Sequence, residues 1–305
     1  MKRSNNLVKW MITGVFLSIL LFRGGHAQEE TPADWKAFKA RAAGYYQVLS
    51  KDSINNFSCF ISADFYIDFI KSIADSNYYY PLKYIWTRSA DQYFVLQPLP
   101  ENLSDSLRRE VLVRVQELKN LFNGIMLDWY RYSIRTPLDD VPDSARVKFA
   151  RDTVGVFYQF QEENQKVEVQ ETYSRAGQLG RVIWRNGAQK VVTYPLFDEV
   201  ENKWLCIGWD SQRYQNDAII SGVAVRLELV KKNGQFLPVQ FNIIVQTQEN
   251  PEQQILTSIY IKNFIFNENF QVLSSPGESV PPKPTPPGQI PAFVTPDSAG
   301  KTPPQ

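Results

Sequence analysis

Histidine is all but missing from this sequence: its 305 residues include one, His26. That residue lies in an N-terminal stretch expected to be removed, so the working chain should hold none. The absence excludes Ser-His-Asp and Cys-His catalysis, most zinc sites and histidine pH switches. Cysteine is nearly as scarce, with Cys59 and Cys206 only. They lack the Cys-x-x-Cys spacing, so thiol redox catalysis is not expected. In an oxidising compartment the two could form a disulfide; buried apart, they act as small apolar side chains. Both readings stay open, because pairing requires Cα atoms within about 7 Å. Neither charge sign is in excess, with 33 Lys and Arg against 32 Asp and Glu. With no basic stripe, nucleic acid is not an expected partner.

Motifs for chemistry are lacking as well. Gly177-Gln178-Leu179-Gly180 has neither the Lys nor the helix of a phosphate loop. Ser221-Gly222 joins strand to strand, unlike a nucleophile elbow. Asp139-Asp140 and Glu162-Glu163 are adjacent in loops or turns, whereas a glycosidase pair needs fixed separation across a cleft. Asp64 and Asp68 fall on the polar face of a strand pattern, with no further calcium ligands in view. The expectation is a protein that is not an enzyme, with no metal and no cofactor.

What is present begins at the ends. Lys2, Arg3 and Lys9 precede an apolar run from Trp10 to Phe22, then Gly24-Gly25-His26-Ala27. A basic start, a short apolar run and a small residue before the cut describe a cleaved secretory signal over residues 1–27. The run is too short for a comfortable span, which takes about 20 apolar residues. No Cys follows it, so a soluble periplasmic protein is expected. Four basic residues fall in this stretch, leaving 29 against 32 acids in the remainder. From Ser274 to Gln305 the chain is rich in Pro, Gly, Ser and Thr, and it reads as a disordered tail.

Residues 28–273 remain as one folded domain. Thr31-Pro32 reads as a helix start, and Trp35, Phe38, Ala42, Tyr45 and Leu49 recur at helical spacing. Phe57 to Ile67 alternates as a strand. Leu82–Arg88 and Tyr93–Gln97 make a pair around Ser89-Ala90-Asp91. Ser104 caps a second helix striped by Leu107, Val111, Val115, Leu118 and Phe122, with Gly124 as its stop. Strands are expected at Ile125–Arg135 and, after a loop over Thr136–Ala145, throughout Val154–Phe266. The clearest pair is Val223, Val225, Leu227 and Leu229, the turn Asn233-Gly234, and Val239, Phe241, Ile243 and Val245. Val182 to Tyr194 repeats the pattern around Asn186-Gly187. About a dozen strands and two helices give an α+β fold: a large curled antiparallel sheet, an incomplete β-barrel, with two amphipathic helices covering its concave face.

A concave face must be filled by protein or by ligand. The candidates for lining a cavity or its lid are Trp35, Phe38, Tyr45, Trp86, Leu107, Val111, Leu118, Trp129, Trp184, Trp204 and Trp209. Core packing explains any one of them equally well. Arg88, Arg131 and Arg135 recur beside the tryptophans, where a solvated outer face is the ordinary outcome.

Several stretches resemble the LolA/LolB superfamily of lipoprotein-sorting carriers. They are the helix Trp35–Leu49 leading into Phe57-Ser58-Cys59-Phe60-Ile61, then Val225 to Leu229 running through Asn233-Gly234-Gln235-Phe236-Leu237-Pro238. Ile261 to Asn267 completes them. The resemblance implies a half-barrel with helices plugging its mouth and a periplasmic protein that binds acyl chains or lipidated proteins. Arg88 is the nearest match to a lid-holding arginine. The sequence therefore leads to a soluble carrier that shelters a lipid acyl chain or lipoprotein anchor. The alternative is a non-catalytic envelope module with a filled barrel and an envelope protein as partner.

Overall fold

The computed structural model describes residues 32–51, 54–88, 92–162, 165–248 and 254–268. The expected signal, the Pro-rich tail and the turn at 89–91 lie outside them. Helix α1 (Pro32–Gly44) buries Trp35, Phe38 and Ala42, a stripe at spacings of three and four. It ends earlier than the periodicity predicts. The N–H and C=O groups of Trp204 and its neighbours capture the chain at Tyr45–Gln47, with Trp204 N–H donating to Tyr45 O at 2.7 Å. Tertiary pairing overrides the helical stripe there, which leaves Tyr45 43% exposed.

Strand β1 (Asn56–Ala63) stops before Phe65 and Ile67. Those two belong to a short helix, α2 (Asp64–Ile70), whose first carboxylate accepts from Phe65 N–H at 2.7 Å. The same carboxylate holds Thr257 Oγ1 at 2.7 Å and Ser258 N–H at 2.9 Å, so Asp64 ties the helix to the sheet. The hairpin β2 (Leu82–Thr87) and β3 (Gln92–Leu96) lies where the alternation places it.

Helix α3 (Asp105–Trp129) starts as expected, with Ser104 Oγ accepting from Leu107 N–H at 3.3 Å. Gly124 does not stop it. Leu121, Phe122, Ile125, Met126 and Trp129 continue the buried face. Their burial outweighs the roughly 1 kcal/mol that mid-helix glycine costs. The expected strand Ile125–Arg135 is thus helix to Trp129, followed by a π turn over Tyr130–Ile134. Arg135 N–H donates to Tyr130 O at 2.8 Å, the i to i+5 bond that closes this turn.

The remaining strands are β4 (Arg146–Phe149), β5 (Thr153–Glu162), β6 (Gln165–Ser174), β7 (Leu179–Asn186), β8 (Gln189–Val200), β9 (Lys203–Gln215), β10 (Ala218–Lys232), β11 (Gln235–Thr247) and β12 (Gln254–Phe266). Among the described residues, every pairing between these strands is antiparallel, in the order β3-β2-β1-β12-β11-β10-β9-β8-β7-β6-β5-β4, and the sheet stays open. Asn233 and Gly234 turn the main hairpin with φ of 52° and 79°. The second turn sits one residue later than predicted. Asn186 pairs with Gln189, so Gly187 and Ala188 are its central pair. Gly187 takes a φ of 58° at the first position, where L side chains are disfavoured. A bulge between Glu228 and Leu229 shifts the register. Phe241, Ile243 and Val245 stay on the buried face, and Leu237 rather than Val239 joins the core.

The sheet rolls around α3. Laid flat at about 4.8 Å per strand, β11 and β6 would lie roughly 24 Å apart. Yet Trp129 touches Phe241 on β11, and Arg131, two residues on, pairs with Glu171 on β6. Only a concave sheet brings both within reach. Helix α1 covers the same face nearer β4–β9, where Phe38 meets Phe149 and Tyr173. Gly177, with φ 103°, permits that approach, since a Cβ there would stand 2.2 Å from Ala42 Cβ.

Candidate functional site

The concave face has an apolar half and a polar half. In the apolar half, the inward residues of β1, β2 and β11 meet α3. Phe57 stacks on Trp86 at 5.3 Å and lies 5.8 Å from Trp129. Phe122 packs edge-on against Tyr84 at 5.1 Å and Phe241 at 6.4 Å. These rings fill one another's gaps. The indole and phenyl groups that could have lined a ligand space are packed on helix α3.

The polar half is centred on Glu171, a carboxylate with no exposed side-chain surface. It takes an inward place in the alternation Val167, Val169, Glu171, Tyr173 on β6. Arg131, on the π turn, forms a salt bridge with it while only 12% exposed. Tyr158 donates to the same carboxylate at 2.7 Å, and Tyr173 donates to its other oxygen. Burial alone would lower the guanidinium's pKa, but the Glu171 charge and surrounding tyrosines hold it well above its ordinary value. Burial drives the phenols of Tyr132, Tyr158 and Tyr173 far up, so they remain neutral donors. Such a cluster fixes the position of the π turn more than it stabilises the fold, because desolvation offsets most of the attraction.

Asp128 adds a second acid beside Arg131. Burial pushes its carboxyl up to about 6, against the opposing pull of Arg131 and a hydrogen bond from Tyr132. A raised folded pKa means the folded chain binds more protons than the unfolded one across the window from 3.8 to about 6. Stability therefore falls as pH rises through that window and stays reduced above it. Asp128→Asn is expected to raise stability at pH 7.5 by about 1–2 kcal/mol, discounting the shift for partial solvent contact. The gain should vanish below pH 4. Urea titrations at the two pH values check this, and an equal gain at both would refute the linkage.

The structure splits the candidates of the sequence. Trp86, Val111, Leu118 and Trp129 come together around α3, all buried. Trp35, Phe38 and Trp209 are buried, with Trp35 stacked on Phe38 at 5.8 Å and Trp209 against Tyr132 at 6.1 Å. Trp204 is half-buried between Tyr45 and Tyr46. Trp184, also half-buried, meets Phe160 near the ends of β5 and β7. Leu107 is half-buried in the first turn of α3. Arg88 is exposed and bonds Ile54 O and Ser50 O, each at 2.9 Å, so it braces the loop before β1. The arginine inside the half-barrel is Arg131, for which a solvated face was expected. Glu171, Tyr158 and Tyr173 were missed, although a carboxylate at an inward place between Val169 and Tyr173 was visible in the alternation. Cys59 and Cys206 are both buried and unpaired, the separate-thiol reading. Burial raises both thiols, Cys59 beyond the range of ordinary thiols and Cys206 to about 12.

Between Trp129, Ser133, Cys206 and Leu229 lies a small, partly open void of about 10 Å³, the size of one water. A wider open groove of about 550 Å³ runs over β4–β7 past Arg146, Phe157, Gln170 and Arg185. Among the described residues, no three His, Cys, Asp or Glu side chains converge, and no helix is long and apolar enough to cross a membrane.

These features define an open antiparallel half-barrel with a helical plug and a buried ion pair at the plug's end. No protein-family model matches the chain, and no curated protein matches it. Among solved structures it is similar to a domain from Vibrio parahaemolyticus assigned provisionally to outer membrane lipoprotein sorting. The two share 9% identity over 63% of this chain and 62% of that one, with a TM-score of 0.20. The match thus spans less than two thirds of that domain.

Proposed function

We propose that this protein is an exported, non-enzymatic binding protein of the cell envelope that shelters an acyl chain or lipoprotein anchor. In this reading α3 is a displaceable plug, and the ligand takes its place on the concave face. One observation carries it: among the described residues, helix α3 covers most of the apolar half of an open sheet, with only the short α2 packed beside it on β1 and β12. Moving that helix would uncover Phe57, Tyr84, Trp86 and Phe241, all buried in the closed form. An incoming chain would gain about 0.8 kcal/mol per methylene removed from water. The basic-then-apolar N-terminus supports export, with lipid or a lipidated protein as the partner.

A second reading, the filled envelope module, is favoured by the mutual packing of those rings against Phe122 and Trp129 of α3. Solvent extraction of natively purified protein, followed by mass spectrometry, separates the two. The carrier reading expects about one acyl species per chain, or uptake of added fatty acid. A blank extract with no uptake would leave the filled module standing.

A further inference from the structure

Toward the β9–β10 turn, the concave face changes from apolar to polar within three rows. Trp209 on β9 meets Tyr132 of the π turn at 6.1 Å, so its row faces the concave side. Across from it stand Val225 on β10 and Ile243 on β11, both buried. Two residues nearer the turn, Ser211 is opposite Val223, and Val223 is opposite Val245. Two further on comes the row Arg213, Ser221 and Thr247, all half-buried. Alternation keeps these rows on one face. The other phase points outward, where Asp210 pairs with Arg226 at 2.7 Å and Lys190 sits 4.1 Å from the Tyr214 ring.

Arg213 is the cation of that rim row. Among the described residues, no carboxylate pairs with its guanidinium. Glu171 stands three strands away on β6 and is taken by Arg131. The hydroxyl residues Ser221, directly across on β10, and Ser211, next on the same face of β9, flank the arginine. From the rim an apolar track runs inward over Val223 and Val245, then Val225 and Ile243, to Phe241. Phe241 lies six residues from Thr247 along β11, about 20 Å at the rise of a strand. An acyl chain in a bilayer spans about 15 Å, half of the hydrocarbon core. Hung from the rim row, it would run past Ile243 to the edge of the ring cluster.

We propose that this rim is a head-group site, in which Arg213, with Ser211 and Ser221, holds the acidic oxygens of an anionic amphiphile. Its acyl chain lies along Val223, Val245, Val225 and Ile243. The inference rests on the carrier reading and narrows the ligand to chains that end in a phosphate or carboxylate. A guanidinium offers such oxygens a bidentate fit, and hydroxyl donors add to it. The track is buried in the closed form, so the half-buried rim is what an arriving ligand meets first.

Calorimetric titration of the full chain with dodecyl phosphate, dodecanoate and neutral monolauroylglycerol, each below its micellar concentration, tests this. The anionic ligands are expected to bind about tenfold tighter than the neutral one, as a charge-assisted hydrogen bond allows. The tighter of the two names phosphate or carboxylate as the head. Arg213→Gln should abolish the preference and leave the neutral affinity unchanged. Arg185→Gln makes the same change of charge on the exposed outer side of β7, opposite Lys190, and should keep the preference. A preference that survives Arg213→Gln would overturn the proposal. So would an equal loss in Arg185→Gln, or a wild type that binds all three alike. If none of the three binds, the carrier reading itself falls, and this site with it.

Discussion

Arg131→Met is expected to destabilise the protein by about 3–5 kcal/mol, the usual consequence of stranding a buried charge. Glu171 has no exposed side-chain surface, and Arg131 is its partner cation inside the half-barrel. Methionine keeps much of the arginine's length and removes the charge. Removing the charge at both ends tells a different story. Arg131→Met with Glu171→Gln leaves a neutral amide oxygen that Tyr158 and Tyr173 can still approach as donors. The double variant should recover most of the loss, because neutral replacements of buried pairs are often close to even in stability. Urea unfolding of the wild type, both single variants and the double variant gives the coupling energy. Losses that simply add would mean that the two side chains act independently, contrary to the geometry.

Trp129→Ala should cost about 3–5 kcal/mol, the range for large aromatic truncation in a core. Trp129 is fully buried between Phe57 at 5.8 Å, Phe122 at 6.3 Å and Phe241 at 5.6 Å. It also borders the small void beside Cys206. Truncation should join that void to a larger space lined by aromatic rings. Dry apolar cavities of this kind take up small apolar molecules. Benzene or a naphthalene dye should therefore bind the variant and raise its melting temperature, with no effect on the wild type. If the helix instead settles into the gap, the loss will be smaller and no ligand will bind. That outcome would show a plug able to shift within the sheet, the motion that the carrier reading needs.

Much of the sheet could be read from the residues. Alternation located the strands from Val154 onward, and Asn233-Gly234 located the tightest turn. The ends of elements were less legible. Tyr45 fits the stripe of α1, but pairing with Trp204 pulls it out. Phe65 and Ile67 fit the alternation of β1, but the Asp64 carboxylate starts a helix. Gly124 is a common helix stop, and Ile125, Leu127 and Trp129 also alternate like a strand. Their burial beside Phe122 decided for helix, and that is a fact about what faces them. The polar cluster was hidden for the same reason. Arg131 and Glu171 are 40 residues apart, and each looks solvated on its own.

By itself the sequence determined the period of its strands and which catalytic motifs are not recognisable in it. With one histidine, no Cys-x-x-Cys spacing and no phosphate-loop motif, the residues offer no signature for several classes of mechanism. Period-two alternation fixes which side chains share a face, because successive Cβ atoms must point to opposite sides of a strand. Tertiary structure decided how far the sheet curls, which helix fills it and where one buried charge finds another. Those outcomes depend on contacts between residues distant in sequence, and side-chain packing selects among arrangements that local preference leaves nearly equal.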